Sequence, residues 1–166
     1  MYRNIRLKPE ELISQYILGE RDFSRLDLTY MGIYQGFPFD GVDLSGCDFS
    51  FTNLTEANLV GANLSDSNFS HTWGRGVRIG RCTLKGANLH RTYLGSTNLW
   101  GADLRGVDLR EISPYLTDFR GAILDPVIRL PRWKLDDCTF DESVVIELID
   151  DSSQCNCVEE ETRRYR

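Results

Sequence analysis

The chain has no long apolar run and only two histidines among its 166 residues. No stretch approaches the roughly 20 apolar residues that a transmembrane helix requires. The first residues, MYRNIRLKPEEL, contain no continuous apolar segment of the signal-peptide type. We therefore expect a cytoplasmic protein without membrane attachment, and the length suits one domain with a sizeable core.

Motifs that carry chemistry are also missing. The sequence has no phosphate-binding loop, dinucleotide fingerprint, zinc signature or nucleophile elbow. We therefore expect no enzymatic activity, no catalytic residues, no cofactor and no metal.

The five cysteines argue against a disulfide framework, because their number is odd and no signal peptide is expected. Cys47, Cys82 and Cys138 are expected to be small buried residues of the core. Cys155 and Cys157 lie in a polar tail, where metal binding or oxidation is an alternative to simple exposure.

Acidic charge is depleted in the middle of the chain. The net charge of −6 divides into −5 for residues 1–70, +6 for residues 71–134 and −7 for residues 135–166. The basic residues of the middle segment are not confined to one face of the repeat structure predicted below, which disfavours a nucleic-acid site. Its members are Arg75, Arg78, Arg81, Lys85, Arg91, Arg105, Arg110 and Arg120.

What the chain has in abundance is a repeat of five residues between Gly41 and Leu124. Blocks such as GVDLS, GANLS, GANLH and GADLR place Leu or Phe at the fourth position and a small residue two positions earlier. Neither an α-helix nor a regular strand returns the same face every five residues over such a length. If each block forms one short side and one corner, four blocks complete a turn, and backbone hydrogen bonds join successive turns.

These blocks resemble the pentapeptide repeat family over residues 21–140, and the segment EELISQYILGERDFS resembles the amino-terminal entry of its cyanobacterial members. The resemblance implies an all-β solenoid, a right-handed quadrilateral β-helix, here of about six coils. It divides the chain into an amino-terminal cap (1–20), the repeats (21–140) and a carboxy-terminal cap with a flexible tail (141–166).

Irregularities interrupt the array at four places. One extra residue is expected near 34–38 and another near 125–129, so that Phe23 would stack above Leu44 and Ile33 above Leu54. Gly74 and Pro114 occupy centres on one face, where they should thin the core and loosen the wall.

Both ends of the array need covers. Residues 8–19 predict a short helix whose stripe of Leu12, Ile13, Tyr16 and Ile17 faces the first repeats. Residues 142–150 could form a helix or a last strand.

The recurring Asn and Asp residues are expected to bond to the backbone at corners or to each other between coils. His71 and His90 should lie close together on neighbouring coils, as a solvated pair rather than a metal site.

One surface cluster stands out, comprising Trp73, Arg75, Tyr93 and Tyr115 beside the two interrupted centres. Aromatic and Arg side chains are favoured in binding hot spots, which predicts a protein-docking patch. The alternative, which the sequence favours, is that Trp73 and Tyr93 fold over a thinly filled wall.

The sequence thus predicts a non-catalytic rod that serves as a protein-interaction or scaffold module. Alternatives are a DNA mimic that binds a type II topoisomerase (gyrase), and nucleic-acid or polyanion binding through the basic central coils. A mimic needs acidic columns, which the basic middle lacks. The rod would be a monomer or a homodimer joined at its carboxy-terminal end.

Overall fold

The computed structural model describes residues 6–32, 36, 38–131 and 138–149. Helix α1 spans Pro9–Ile17, with Pro9 in its first turn beside Glu10 and Glu11. Proline and acidic residues suit this end of a helix, because the first backbone N–H groups are unpaired and the dipole is positive there. The helix ends before Gly19, whose φ of 98° only glycine adopts readily.

The predicted apolar stripe of α1 is correct at three of its four positions. Leu12 is fully buried, and Ile13 and Tyr16 pack against the same core. Ile17 is wrong, because it is 76% exposed. At about 100° per residue, Ile17 points roughly 140° away from Leu12 around the helix, and the helix ends there.

The remainder of the described chain winds into successive coils that pair with one another in parallel, and most of its strands are short. The strands are β1 (Trp73–Arg75), β2 (Tyr93–Gly95), β3 (Thr117–Asp118), β4 (Val127–Pro131), β5 (Cys138–Thr139) and β6 (Val145–Ile149), with a 3-10 turn at Leu109–Glu111. β1 pairs with β2, β3 with β5 and β4 with β6, always in parallel. Isolated parallel bridges between the strands join residues 20 positions apart, such as Asn63 to Thr83 and Thr83 to Asp103. One coil of the structure therefore contains four five-residue blocks, as predicted.

Each five-residue block contributes apolar residues to the core and an Asn or Asp to a corner. Most of the Leu and Phe centres and most of the small residues before them, Cys47 and Cys82 included, are buried. Cys138 and the centres Leu124 and Phe140 near the carboxy-terminal end are only partly buried. Asn and Asp side chains accept hydrogen bonds from the backbone N–H two residues later, as Asn63 does from Ser65. They also bond between coils, as Asn63 does to Asp43 at 3.0 Å. Both roles predicted for these residues are present.

Hydroxyl groups inside the coil are a feature that the sequence reasoning missed. Thr52, Thr72 and Thr92 occupy the small-residue position, and their hydroxyls donate to the backbone oxygens of Phe23, Phe49 and Phe69 in the preceding coil. These residues therefore join successive coils by side-chain hydrogen bonds as well as occupying the small-residue position.

The register predicted for the first coil is wrong. Asp22 bridges to Asp48, which is 26 positions later. Phe23 therefore stacks on Phe49, with ring centroids 5.6 Å apart, and not on Leu44. The segment between the first and second coils is longer by six residues than the regular turn, so the column assignment shifts by one face.

The additional residues lie between Met31 and Phe39, because the pairing of the first coil continues as far as Met31, whose oxygen accepts from Asn58 N–H. Leu28 is joined to the coil at Asn53, which gives it the place above Leu54 that was assigned to Ile33. The side-chain amide of Asn58 donates to the backbone oxygens of Gly32 and Gly36 and so holds this insertion against the coil. Ile33 itself and Leu135 lie outside the described residues.

The two interrupted centres do not loosen the wall, contrary to expectation. Gly74 lies within β1, which pairs with β2 along its whole length. Around Pro114 the ladder continues, since Leu94 N–H donates to Ser113 and Ser96 N–H donates to Tyr115. Backbone pairing does not depend on the side chain at the centre, which explains why the wall persists.

The carboxy-terminal cap is a strand. β6 pairs in parallel with β4 from Val127 opposite Val145 to Pro131 opposite Ile149, and Arg129 bonds to Glu147 at 2.8 Å. This decides between the two alternatives for residues 142–150 as far as Ile149. The tail with Cys155 and Cys157 lies outside the described residues. Within the described part, no helix is long and apolar enough to cross a membrane.

Candidate docking face

The structure brings Trp73 and Tyr93 together on the outside of neighbouring coils. They are direct partners in the β1–β2 register, and their rings stack with centroids 4.0 Å apart and planes inclined by 10°. Both side chains are partly exposed. The stack presents a flat aromatic surface on a backbone that is hydrogen-bonded to both neighbouring coils.

Gly95 is what allows this stack to lie flat. The Tyr93 ring covers Gly95 so closely that a Cβ atom there would lie 2.4 Å from the Tyr93 hydroxyl oxygen and 2.6 Å from its Cε1 atom. The ring thus replaces the missing side chain as the cover of this part of the wall.

Arg75 and Tyr115 complete the group that the sequence predicted. Arg75 is exposed at the end of β1, and Tyr115 is 50% exposed one coil beyond Tyr93. Burial raises the pKa of the Tyr93 phenol, and the charge of Arg75 opposes that rise. Trp73, Arg75, Tyr93 and Tyr115 therefore share one side of the coil, which we call the aromatic face.

Behind the aromatic face the core is thin but not open. A Cβ on Gly74 would lie 2.5 Å from Val77 Cγ2, so Val77 occupies the space that a larger centre would fill. A void of about 20 Å³ remains, lined by lumen residues that include Leu54, Val77 and Leu94. The core is therefore thinner behind Gly74, as expected.

Another aromatic cluster involves the two histidines. Phe51 stacks on His71 at 4.7 Å with planes only 1° apart, and His71 meets His90 edge-on at 5.7 Å. The histidines thus lie close together on neighbouring coils, as predicted. Among the described residues no group of three or more His, Cys, Asp or Glu side chains could hold a metal ion.

Half of the basic set is already paired with acids. Arg105, Arg110 and Arg120 each form a two-pronged ion pair with the aspartate two residues earlier, at Asp103, Asp108 and Asp118. Arg81 pairs with Asp40 at 2.9 Å. The sequence signal for these pairs was Asp-Leu-Arg or Asp-Phe-Arg, which the sequence reasoning did not use.

Trp100 is an exposed aromatic residue that the sequence reasoning also missed. It is 61% exposed, and its ring lies across the backbone of Gly121 in the next coil, as Tyr93 lies across Gly95. Its position, one after a Leu centre and one coil before a glycine, is the signal by which it could have been found.

Comparison with known proteins gives a family match to the part of the chain that forms this coil. The protein-family model for pentapeptide repeats matches residues 39–72 and 75–110, with eight copies of the repeat. The break between the two segments falls at Trp73 and Gly74. The match is narrower than the resemblance over 21–140, and it omits the insertion and the carboxy-terminal sheet.

Several solved structures match this chain. HetL, a pentapeptide repeat protein involved in heterocyst differentiation regulation in the cyanobacterium Nostoc sp. strain PCC 7120, is 26% identical, with a TM-score of 0.43, over 79% of this chain and 51% of that chain. The present chain thus spans about half of HetL. No match was found among curated proteins.

Two further structures are more distant. The pentapeptide repeat protein alr5209 from Nostoc PCC 7120 is 23% identical, with a TM-score of 0.27, over 89% of this chain and 99% of that chain. QnrB1, a plasmid-mediated fluoroquinolone resistance protein, is 14% identical, with a TM-score of 0.32, over 86% of this chain and 65% of that chain. By this match, residues 39–72 and 75–110 of the chain are pentapeptide repeats.

Proposed function

We propose that this chain is a non-catalytic protein-interaction rod, a right-handed quadrilateral β-helix whose aromatic face docks a protein partner. The observation that carries the proposal is the Trp73–Tyr93 stack, with ring centroids 4.0 Å apart on paired strands. Large planar side chains held on a rigid backbone lose little conformational entropy on binding, which is why they dominate binding hot spots.

The gyrase-directed DNA mimic is the less favoured proposal. A mimic must present acid along its surface, whereas the coil from Trp73 to Thr92 carries only cations and neutral residues. It predicts salt-sensitive inhibition of gyrase, which a supercoiling assay at micromolar protein measures directly.

The carboxy-terminal sheet of β4 and β6 is, in this proposal, either the cap of a monomer or the seam of a homodimer. Val145 and Leu148 on β6 are 56% and 46% exposed, respectively. Sedimentation equilibrium of the full chain distinguishes the two arrangements.

The docking proposal is tested by capture from cells that make the protein. The double variant Trp73→Ala/Tyr93→Ala should lose the captured partner. The matched control, Phe51→Ala/His71→Ala, also removes two stacked rings but on another face of the coil, and should retain it. Circular dichroism and thermal melting show whether each variant folds.

A second variant separates docking from packing. Tyr115 is half exposed on the same face, so Tyr115→Ala should weaken capture with little effect on the melting temperature. A photo-crosslinking residue at position 115 should label the same partner. Equal capture by the parent, the Trp73/Tyr93 variant and Tyr115→Ala contradicts the proposal.

A further inference from the structure

Acidic residues are absent from the middle of the coil. Between Ser67 and Ala102 the chain has no Asp or Glu, and its charged residues are Arg75, Arg78, Arg81, Lys85 and Arg91. All five cations fall within one coil of 20 residues, so they surround the solenoid at one height along its axis, which we call this level. Such a local excess of one sign attracts the opposite charge.

These five cations differ in whether they form an ion pair with an acidic side chain of the same chain. Arg81 reaches Asp40 at 2.9 Å. Among the described residues, Arg75, Arg78, Lys85 and Arg91 form no ion pair. Four charges of this level are therefore available to a partner.

Two of the four lie beside the aromatic face. Arg75 ends β1, and Arg78 follows it across the corner at Gly76 and Val77. The register places Arg75 opposite Gly95 in the next coil and Arg78 opposite Asn98. Neither neighbour carries a charge, so the positive potential of the two arginines is not offset on that side.

The nearest acid of the preceding coil is Glu56. Its carboxylate lies over the corner, since a Cβ on Gly76 would be 2.5 Å from Glu56 Oε1. Among the described residues, Glu56 forms no ion pair with Arg75 or Arg78. The two guanidinium groups therefore retain their donors for a ligand.

We propose that the partner of the aromatic face is an acidic protein segment, whose carboxylates bind Arg75 and Arg78 while an apolar or aromatic side chain rests on Trp73 and Tyr93. This inference rests on the proposed function and specifies the chemistry of its partner. Guanidinium groups suit carboxylates because both are planar and can bond in pairs.

A nucleic acid fits this surface less well. Duplex DNA carries about one charge per 1.7 Å and is bound by rows of cations along its backbone. Of the other cations without an ion pair in the described part of the chain, Arg91 lies at the corner two residues before Tyr93 and Lys85 lies on another side of the coil, so no row forms. Along the aromatic face the preceding coils place Asp27 and Glu56 instead.

The test is a selection of random 12-residue peptides displayed on phage against the full chain, with counter-selection on Trp73→Ala/Tyr93→Ala. The selected peptides should carry net negative charge and at least one large apolar residue. Their binding to Arg75→Glu/Arg78→Glu should be at least about tenfold weaker than to the parent and should weaken with added salt, because both charges are exposed.

The matched control is Arg81→Glu/Lys85→Glu, which makes the same change in net charge on the same coil but at corners that do not adjoin β1 or β2. It should bind the peptides within about twofold of the parent. Neutral or basic peptides, or equal weakening by both double variants, overturn the inference while the docking proposal stands. A 20-base-pair duplex DNA that competes with the peptides and loses affinity for both double variants overturns it in favour of polyanion binding. Recovery of no peptide contradicts the docking proposal itself.

Discussion

At the residue scale, the absence of a side chain at Gly95 decides the geometry of the candidate docking face. Tyr93 lies on this glycine, and Trp73 stacks on Tyr93, so the aromatic platform depends on a position that carries no functional group. Aromatic residues could be selected from the sequence as hot-spot candidates. Their stacking depends on the 20-residue register and on the glycine beneath them.

Gly95→Ala should displace the Tyr93 ring and disrupt the stack. The new Cβ would lie 2.4 Å from the phenolic oxygen. The loss of an aromatic pair costs about 0.5–1.5 kcal/mol, which urea unfolding measures, and the near-ultraviolet circular dichroism of the stack should diminish. Gly80→Ala is the matched control, since its Cβ meets only the Trp100 backbone oxygen at 3.2 Å. An unchanged aromatic spectrum in Gly95→Ala contradicts this account.

At the scale of the element, the coil is held together by side chains as well as by its backbone. The hydroxyls of Thr52, Thr72 and Thr92 form a column of hydrogen bonds from one coil to the backbone of the preceding coil. The insertion before Phe39 is held in a comparable way by Asn58. Polar groups are thus used inside the lumen, where they must be satisfied.

Thr72→Val should destabilise the coil by about 1 kcal/mol, because it leaves the Phe49 oxygen without the hydroxyl donor at 2.9 Å while conserving volume. The same substitution at Thr83, which faces outward on the neighbouring coil, should change the free energy of unfolding by less than about 0.5 kcal/mol. Chemical denaturation of both variants checks this. Equal effects at the two positions would show that the lumen hydroxyl does not stabilise the coil.

Asn58→Ala should release the insertion from the coil. Asn58 is fully buried, and its amide bonds to Gly32 and Gly36, so its removal should cost about 1–3 kcal/mol and raise amide hydrogen exchange around Met31 and Phe39. Asn98 lies in the same column but is exposed. Asn98→Ala should leave exchange at the insertion unchanged, and a similar increase there would contradict the assigned role.

At the scale of the whole molecule, each coil depends on its neighbours, because the bridges join residues 20 positions apart, or 26 at the first coil. Stability should therefore be shared along the array, and electrostatic contributions should add over several coils. The aspartates of the corners supply such a contribution. Their ionised carboxylates accept stronger hydrogen bonds than the protonated carboxyl groups do.

The free energy of unfolding should fall on acidification below about pH 4. A hydrogen bond from Arg120 holds the pKa of Asp118 well below its ordinary value, and Arg105 and the Ser45 backbone lower those of Asp103 and Asp43. A depressed pKa in the folded state stabilises above the unfolded value of about 3.9, and this stabilisation is lost as the pH falls toward the folded pKa.

Urea unfolding at constant ionic strength between pH 7 and pH 2 measures this dependence. Asp118→Asn should unfold more easily at pH 7 and show a shallower decline than the parent. Identical pH profiles for the two proteins would contradict the contribution of this carboxylate.

The sequence by itself determined the five-residue block and its consequences within a coil. Leu and Phe centres had to face inward, Asn and Asp had to serve the corners, and Pro9 and Gly19 had to bound a helix, because each follows from local chemistry. The candidate residues Trp73, Arg75, Tyr93 and Tyr115 were named from the same register.

Only the tertiary structure decided how the coils meet where the block fails. The segment between Leu28 and Phe39 contains no signal for how many of its residues leave the coil, since hydrogen bonds to a distant turn, at Asn53 and Asn58, determine this. Likewise, Val77 fills the space at Gly74 and β6 pairs with β4 through contacts between residues far apart in the chain or on different sides of a corner. Local pattern fixes which way a side chain points, and long-range pairing fixes what it meets.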